Sequence, residues 1–487
     1  MEGAVPAEAS QPLPLSLEVW ERVPPEAQAL ILALLAANAK LEERVQALEA
    51  RLGQNSSNSS RPPSADPPQA PRRDRREPSG RRPGGQAGHE RHVRPLVEAE
   101  QIDHVVDHWP TVCGQCATVL SNQPVGEPVR HQITELPPVR VEVTEHRLQR
   151  VCCPACGAET LAGWPAGVTT GAFGPRWQAT LSLLAGRFRL SRREIVALSA
   201  DLFGGRLSVG AIDDLCRATG RALAEPVAAL AEVVRQSDRA NVDETGWKER
   251  GKRSWLWVAV TAVVTLFVIA PTRGRKELVD LLGADYAGYV GSDRYSAYSD
   301  RDPARRAVCW AHLRRDFKSL VDYGGRARPI GQVALRLTDR LFHRWHEVRD
   351  DPVAWAGFAA EVEPLQAEFR ALFEAGTQSE VDKVAGLCRS LLKVWPALWT
   401  FTHVPGIEPT NNAAERALRP AVLWRKGSFG TQSPSGSAFV ARMLTITVTC
   451  RQQGRSLLDY LTAVCSAAQD GQPVPSLLPD GMPAQAA

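Results

Sequence analysis

Three acidic residues, far apart in the chain, have the chemistry to handle phosphate esters. Asp243 lies in Ala240–Lys248 (ANVDETGWK), which leads past a polar turn into an apolar pair of strands between Trp255 and Ala270. Asp293 closes the short apolar run Tyr289-Val290-Gly291-Ser292-Asp293. A carboxylate at the end of each of two neighbouring strands suits a two-metal site. Such a site needs hard oxygen ligands that rigid elements bring within a few ångströms of one another. Glu415, in Asn411-Asn412-Ala413-Ala414-Glu415-Arg416, opens a helix and supplies a third candidate ligand. Each acid alone has a plainer reading: the two Asp as turn caps, the Glu as a first-turn acid favoured by the helix dipole. Glu244 competes with Asp243, but alternation along a strand turns it to the opposite face.

A second constellation is made of cysteines. Cys113-Gly114-Gln115-Cys116 and Cys153-Pro154-Ala155-Cys156 form two Cys-x-x-Cys knuckles separated by 36 residues. Two knuckles complete the closed tetrahedral shell of one structural Zn²⁺, which leaves no open position for a substrate. Cys152 is an ambiguous neighbour of Cys153. Between the knuckles, the alternating run Val139–His146 (VRVEVTEH) predicts a ribbon hairpin. The module spans about 100–165.

These groups need elements to position them. An apolar pair of strands, a helix over Lys276–Leu282 and a strand ending in Asp293 is the order of a ribonuclease-H-like sheet. Upstream, residues 172–235 read as helical. There Ser191 and Glu194 form a capping-box pattern, Gly204-Gly205 break the chain and Ser208 opens a second helix. Two short helices around a Gly turn fit a helix-turn-helix that reads DNA, and fit a plain packed hairpin equally. Asp213 and Asp214 on the second helix argue against deep insertion into a groove.

The N-terminal part is organised differently. Over 25–53, Leu34, Leu41 and Leu48 recur every seven residues, with Ile31, Asn38, Val45 and Leu52 at the other seam position. That pattern predicts a parallel two-stranded coiled coil, hence a homodimer, although packing on its own chain would use the same residues. From 54 to 90 the composition turns to Ser, Pro, Gly and Arg, the signature of a disordered basic linker. Between Arg61 and Gly88, seven Arg (61, 72, 73, 75, 76, 81 and 82) face three acids. This tether either grips phosphates without reading sequence or serves as a soluble spacer.

At 487 residues the chain exceeds one ordinary core. The net charge of +4 is too small to identify a partner by itself. The most apolar run, Trp255–Ala270, falls short of the roughly 20 residues of a spanning helix and is rich in Val and Thr, so no membrane partner is expected. With no signal-peptide pattern, a reducing cytoplasm is expected, where paired cysteines hold zinc rather than form disulfides.

Taken together, these motifs resemble the IS sixty-six family of bacterial insertion-sequence transposases over nearly the whole chain. The resemblance rests on the N-terminal zipper, Asn55-Ser56-Ser57 with Arg61-Pro62-Pro63-Ser64, and the paired cysteines. It continues in Val242-Asp243-Glu244-Thr245, Ser292-Asp293-Arg294-Tyr295, Cys309-Trp310-Ala311-His312-Leu313-Arg314-Arg315, and Asn411-Asn412 with Glu415-Arg416. Ala65 departs from it, standing where the linker motif usually repeats Ser. The resemblance implies a multidomain α+β protein whose ribonuclease-H-like core (238–324 and 406–470) is interrupted by an all-helical insertion (325–405). It implies a DDE transposase that cuts insertion-sequence ends and joins them to target DNA by in-line phosphoryl transfer, in the nucleoid. Asp243, Asp293 and Glu415 would hold two Mg²⁺ or Mn²⁺ ions. His312 would neighbour the scissile phosphate, with a core histidine as its plainer reading. Arg416, Arg425 and Lys426 would meet DNA phosphates, or else be ordinary surface charge. Accessory proteins of the same element are further implied partners. The alternative is a catalytically inactive zinc-ribbon DNA-binding protein derived from a transposase.

Overall fold

The computed structural model of the chain describes residues 17–59, 66, 94–165, 167–168 and 171–478. The other residues expected in the basic linker, including its seven Arg and Ala65, lie outside the described residues. Two compact units emerge: Pro71–Thr144 with Asp201–Gly205 as one, the remainder as the other.

The larger unit begins with α1 (Leu17–Trp20) and the 28-residue α2 (Pro25–Leu52). Leu34, Leu41, Val45, Leu48 and Leu52 of the heptad seam are all more than half exposed. The chain then folds into a tight turn, where composition alone marks a spacer. Asn55 N–H donates to Asn58 Oδ1 at 2.8 Å, and the Ser56 N–H and hydroxyl donate to the Asp66 carboxylate at 2.6 and 2.7 Å. Asn and Asp side chains that bond nearby backbone order such turns without a hydrophobic core. Further on come β1 (Arg150–Cys152) and β2 (Glu159–Leu161), which pair antiparallel. Val139–His146 forms no strand, contrary to the alternation of its sequence. Val139 and Val143 stand exposed, and with no apolar face to bury, alternation alone does not make a ladder.

Four helices follow: α3 (Pro175–Gly186), α4 (Arg192–Phe203), α5 (Val209–Ala222) and α6 (Ala224–Arg235). The expected capping box closes reciprocally, with Ser191 N–H on Glu194 Oε2 (2.7 Å) and Glu194 N–H on Ser191 Oγ (3.2 Å). Ser208 caps α5 through the N–H of Ala211. Asp213 and Asp214 are engaged on their own side of the molecule, Asp213 with Arg192 and Arg217, and Asp214 with Arg217.

The sheet comprises β3 (Arg239–Glu249), β4 (Lys252–Val260), β5 (Thr265–Ala270), β6 (Tyr289–Ser292) and β7 (Arg306–Val308), in the order β5-β4-β3-β6-β7. The first three strands run antiparallel; β6 and β7 are parallel to β3. Arg250 and Gly251 join β3 to β4 with positive φ at both positions, as a two-residue primed turn requires. Between β5 and β6 lies α7 (Arg275–Leu282).

The rest is helical: α8 (Trp310–Tyr323), α9 (Ala327–Val348), α10 (Pro352–Glu361), α11 (Glu363–Gly376), α12 (Asp382–Lys393), α13 (Trp395–His403), α14 (Asn412–Ser428), α15 (Pro434–Gln452) and α16 (Leu457–Gln469). Two hydrophobic cores result. One joins the sheet to α3–α7 and α14–α16; the other gathers α8–α13 around the fully buried Trp310, whose ring meets Phe369, Trp399 and Phe401 edge-on. No helix among the described residues is long and apolar enough to cross a membrane.

The outer edge of β5 is closed by side chains rather than by another strand. Thr265 N–H donates to Thr449 Oγ1 (3.2 Å) and Phe267 N–H to Thr445 Oγ1 (2.9 Å), both hydroxyls coming from buried positions of α15. Replacing either threonine by the isosteric valine leaves a buried N–H unpaired. Each substitution is expected to cost about 1–3 kcal/mol, read as a lower urea midpoint; unchanged midpoints for Thr445→Val and Thr449→Val would contradict this account of the edge.

Candidate active site

The three acids sit on three different elements. Asp243 lies mid-strand on β3, Asp293 directly after β6, and Glu415 in the first turn of α14. On β3 the side chains alternate as expected. Asn241, Asp243 and Thr245 share the face over which α14 lies, and Val242 and Glu244 point into the core.

One buried amide fastens this arrangement. Asn411, just before α14, donates through Nδ2 to the Val242 carbonyl at 2.8 Å and accepts from Asn241 Nδ2 at 2.8 Å. Its backbone N–H donates to Cys309 Sγ at 3.2 Å, and its carbonyl accepts from the Glu415 N–H at 3.2 Å. Gly291 on β6 makes room for this network, since a Cβ there would come within 2.9 Å of Asn241 Nδ2. Cys309 in turn donates its N–H to the Ser292 carbonyl, beside Asp293.

Asp243 and Glu244 differ sharply in how their charge is met. The Glu244 side chain is only 1% exposed, yet it is fully partnered: Arg273 Nε lies 2.5 Å from Oε1 and the Tyr298 hydroxyl donates to Oε2 at 2.5 Å. Burial pushes the Glu244 carboxyl up, against the pull of Tyr298 and Arg273. Arg273 also reaches Asp293 at 3.9 Å and stacks 3.6 Å from the Tyr295 ring centroid. Asp243 accepts the N–H of Glu244 at 2.9 Å and has no basic partner among the described residues. Its carboxyl is driven well above the ordinary range, first by burial and then by the charges of Glu244 and Asp293, with Glu415 adding to them. Excess negative charge in a shielded site is the electrostatic condition that a divalent cation relieves, so the donor set fits hard metal ions. The triad is nonetheless wider than 4.8 Å between its ligand atoms; like-charged carboxylates repel when no cation lies between them.

Around the acids lies a ring of bases. His312, in the first turn of α8, has Nδ1 3.7 Å from Glu415 Oε1, and Arg315 approaches the same oxygen at 3.7 Å. Arg294 pairs with Asp316 at 2.5 Å and donates to Ser390 at 3.0 Å. Arg306 donates to the Asp293 carbonyl at 3.3 Å. Of the expected phosphate contacts, Arg416 and Lys426 are exposed. Arg425 is half-buried and turned inward, donating to the Gly246 carbonyl and to Thr245 Oγ1. Sequence reading assigned no role to Arg273, Tyr298, Asn241 or Asn411. The bonds from Arg273 and Tyr298 to Glu244, and those joining Asn411 to Asn241 and Val242, span 29 to 170 residues, so no local spacing could have singled them out.

The cysteine knuckles share one backbone pattern. Cys113 N–H donates to the Thr118 carbonyl and Ala117 N–H to the Cys113 carbonyl; Cys153, Ala158 and Gly157 repeat this arrangement. Hydrogen bonds from Thr118, then from Cys113, lower the Cys116 thiol. Those from the backbone of Ala155 and Cys156 lower Cys153. Thiols so biased fit the thiolate ligands that zinc takes.

Residues 179–438 match the profile described as Transposase IS66 family. The chain belongs to this family. Residues 110–157 of this IS66-family chain match the zinc-finger binding domain of transposase IS66, and residues 12–95 match a family of unknown function. Curated relatives are uncharacterized proteins of Sinorhizobium fredii. The protein y4qI is 28% identical over 277 residues, covering 50% of each chain. The protein y4hP is 27% identical over 403 residues, covering 74% of this chain and 70% of its own. The chain thus spans half the length of the first and 70% of the second. The zinc-finger match points to zinc and DNA binding, and the transposase match to a divalent metal.

Burial, then the Arg315 charge, pushes the His312 ring from 6.5 down to about 4. Between those values the unfolded chain takes up a proton that the folded one refuses, so stability falls as pH drops. The expected loss between pH 7 and 5 is on the order of 2 kcal/mol. It should be absent from His312→Gln when urea midpoints are compared at both pH values; equal losses in the two proteins would refute the neutral ring.

Proposed function

We propose that the chain is a DNA transposase, which cleaves the ends of its insertion sequence and joins them to target DNA by in-line phosphoryl transfer. The observation that carries this reading is Asp243, a shielded carboxylate with no basic partner, set among the carboxyls of Asp293 and Glu415. The sheet order, with three antiparallel strands followed by two parallel ones, supports a ribonuclease-H-like core. In such cores acids carried by neighbouring parallel strands serve as the metal platform, here Asp243 within β3, not at its end as the sequence suggested, and Asp293 just after β6.

Asp243, Asp293 and Glu415 would hold two Mg²⁺ or Mn²⁺ ions. Bound there, these lower the pKa of an attacking water or 3′-hydroxyl and stabilise the leaving oxygen. The protein's own residues do the rest. Asn411 fixes α14 against β3, so Glu415 faces Asp243. Arg273, anchored by Glu244, orients the Asp293 carboxylate. His312 stays neutral, and with Arg315 it faces the phosphate side of Glu415. Neutral imidazole there can donate or accept a hydrogen bond without adding charge. Exposed Arg416 and Lys426 are placed to meet the DNA backbone, whose affinity rises with each phosphate neutralised. Arg425 serves instead as a clamp on β3.

The exposed seam of α2 supports pairing with a second copy through a parallel coiled coil. A dimer would bring two active sites to two transposon ends. One structural Zn²⁺ held by Cys113, Cys116, Cys153 and Cys156 would steady the DNA-docking module. The site of action would be the chromosome, in the cytoplasm.

The test uses purified full-length protein with the end DNA of its own element. Binding is expected in both Ca²⁺ and Mg²⁺, with cleavage in Mg²⁺ alone. Asp243→Asn and Asp293→Asn should bind DNA like the parent and lose cleavage by about a thousandfold or more. Full cleavage by Asp293→Asn would overturn the assignment.

A further inference from the structure

Cys309 and His312 stand apart from the hard-oxygen acids in their chemistry. Cys309 is the residue that caps α8, and His312 lies one turn on, so Cys-x-x-His spacing gathers both side chains at one helix end. Glu415 comes to them from the first turn of α14. Cys309 Sγ, His312 Nδ1 and a Glu415 oxygen all lie within 4.8 Å of one another, the one such group of three among the described residues.

We infer that these three groups form a separate, softer metal position, which takes a borderline divalent ion such as Zn²⁺ or Co²⁺. Two observations beyond proximity point there. The His312 Nδ1 atom is buried and has no hydrogen-bond partner; a buried ring nitrogen aimed at a carboxylate 3.7 Å away is placed as a ligand. The Cys309 sulfur is buried and already accepts the Asn411 N–H at 3.2 Å, an interaction that fixes its direction. Sulfur and imidazole select against Mg²⁺ and Ca²⁺, which want oxygen throughout. Three protein ligands suit Zn²⁺ and leave one tetrahedral position for water.

Access is from the Glu415 side, whose side chain is 39% exposed, while Cys309 closes the inner end. Arg315 shares Glu415 Oε1 and must give way when the ion enters. In the reading proposed above, Glu415 belongs to both metal sets, so a borderline ion captured here withdraws one oxygen from the acid triad. The soft position would then act as a brake on cleavage when such ions are plentiful.

The test needs no catalysis. Full-length protein whose knuckles have been loaded with Zn²⁺ is titrated with Co²⁺, and cobalt–thiolate charge-transfer absorption is followed alongside metal content after gel filtration. One additional equivalent of Co²⁺ with thiolate absorption is expected. Cys309→Ser should lose the absorption, and the near-isosteric His312→Gln should weaken binding about tenfold or more, with circular dichroism matching the parent. Equal cobalt uptake and equal absorption in the parent and both variants would overturn the site. Absence of DNA cleavage in Mg²⁺ together with Cys309-dependent cobalt absorption would refute the transposase reading and leave this site standing.

Discussion

The structure depends on holding mutually repelling carboxylates beside one another before any cation is present. The buried amide of Asn411 does much of that work. Through four hydrogen bonds it ties β3, the Cys309 segment and the start of α14 into one rigid corner. Each bond contributes on the order of 1 kcal/mol by itself. Their joint effect is geometric: Asp243 and Glu415 cannot separate without breaking the corner. Arg273 plays the complementary part for Asp293, with Glu244 as its buried anchor. Glu244, the second acid of the Asp-Glu pair, is therefore a structural anchor for Arg273, neutralised within the core, and its neighbour Asp243 has no basic partner among the described residues.

Much of this plan could be read from the sequence. The strands around Asp243 and Asp293, the helix over 275–282 and the capping box at Ser191 all follow local rules of period, propensity and capping. Alternation along one strand turns Glu244 to the face opposite Asp243, and the two side chains do lie on opposite faces with different partners. What could not be read were long-range meetings. Nothing local marks Arg273 or Tyr298 as partners of Glu244, or Asn241 as a partner of Asn411, because these pairs form only when the sheet closes. The run Val139–His146 shows the reverse error, since alternation suggested a ladder where burial supplies no apolar face. The Asn55–Ser59 turn likewise escaped a compositional reading, because side-chain amides and a distant aspartate order it without any hydrophobic signal.

Helix α8 connects the two cores. Its first two turns present His312 and Arg315 to the acids, and Trp310 in the first turn plugs the helical core of α9–α13, donating its indole N–H to the Leu398 carbonyl at 2.7 Å. Its far end receives the Asn58 amide on Asp322 at 2.9 Å. The helix that carries the bases is thus positioned at both ends by parts of the chain remote in sequence. The helices α9–α13, peripheral on a linear map, are in this way part of the mounting of the candidate site.

The threonine closure of the sheet has a further consequence. On one margin Thr445 and Thr449 occupy the outward amides of β5, and on the other Thr400 of α13 donates to the Arg306 carbonyl of the three-residue β7. A sheet finished in this way offers a shortened ladder for another chain to extend. Side-chain hydroxyls thus do at both margins what a further strand would otherwise do, and strand-to-strand joining of two copies is disfavoured there.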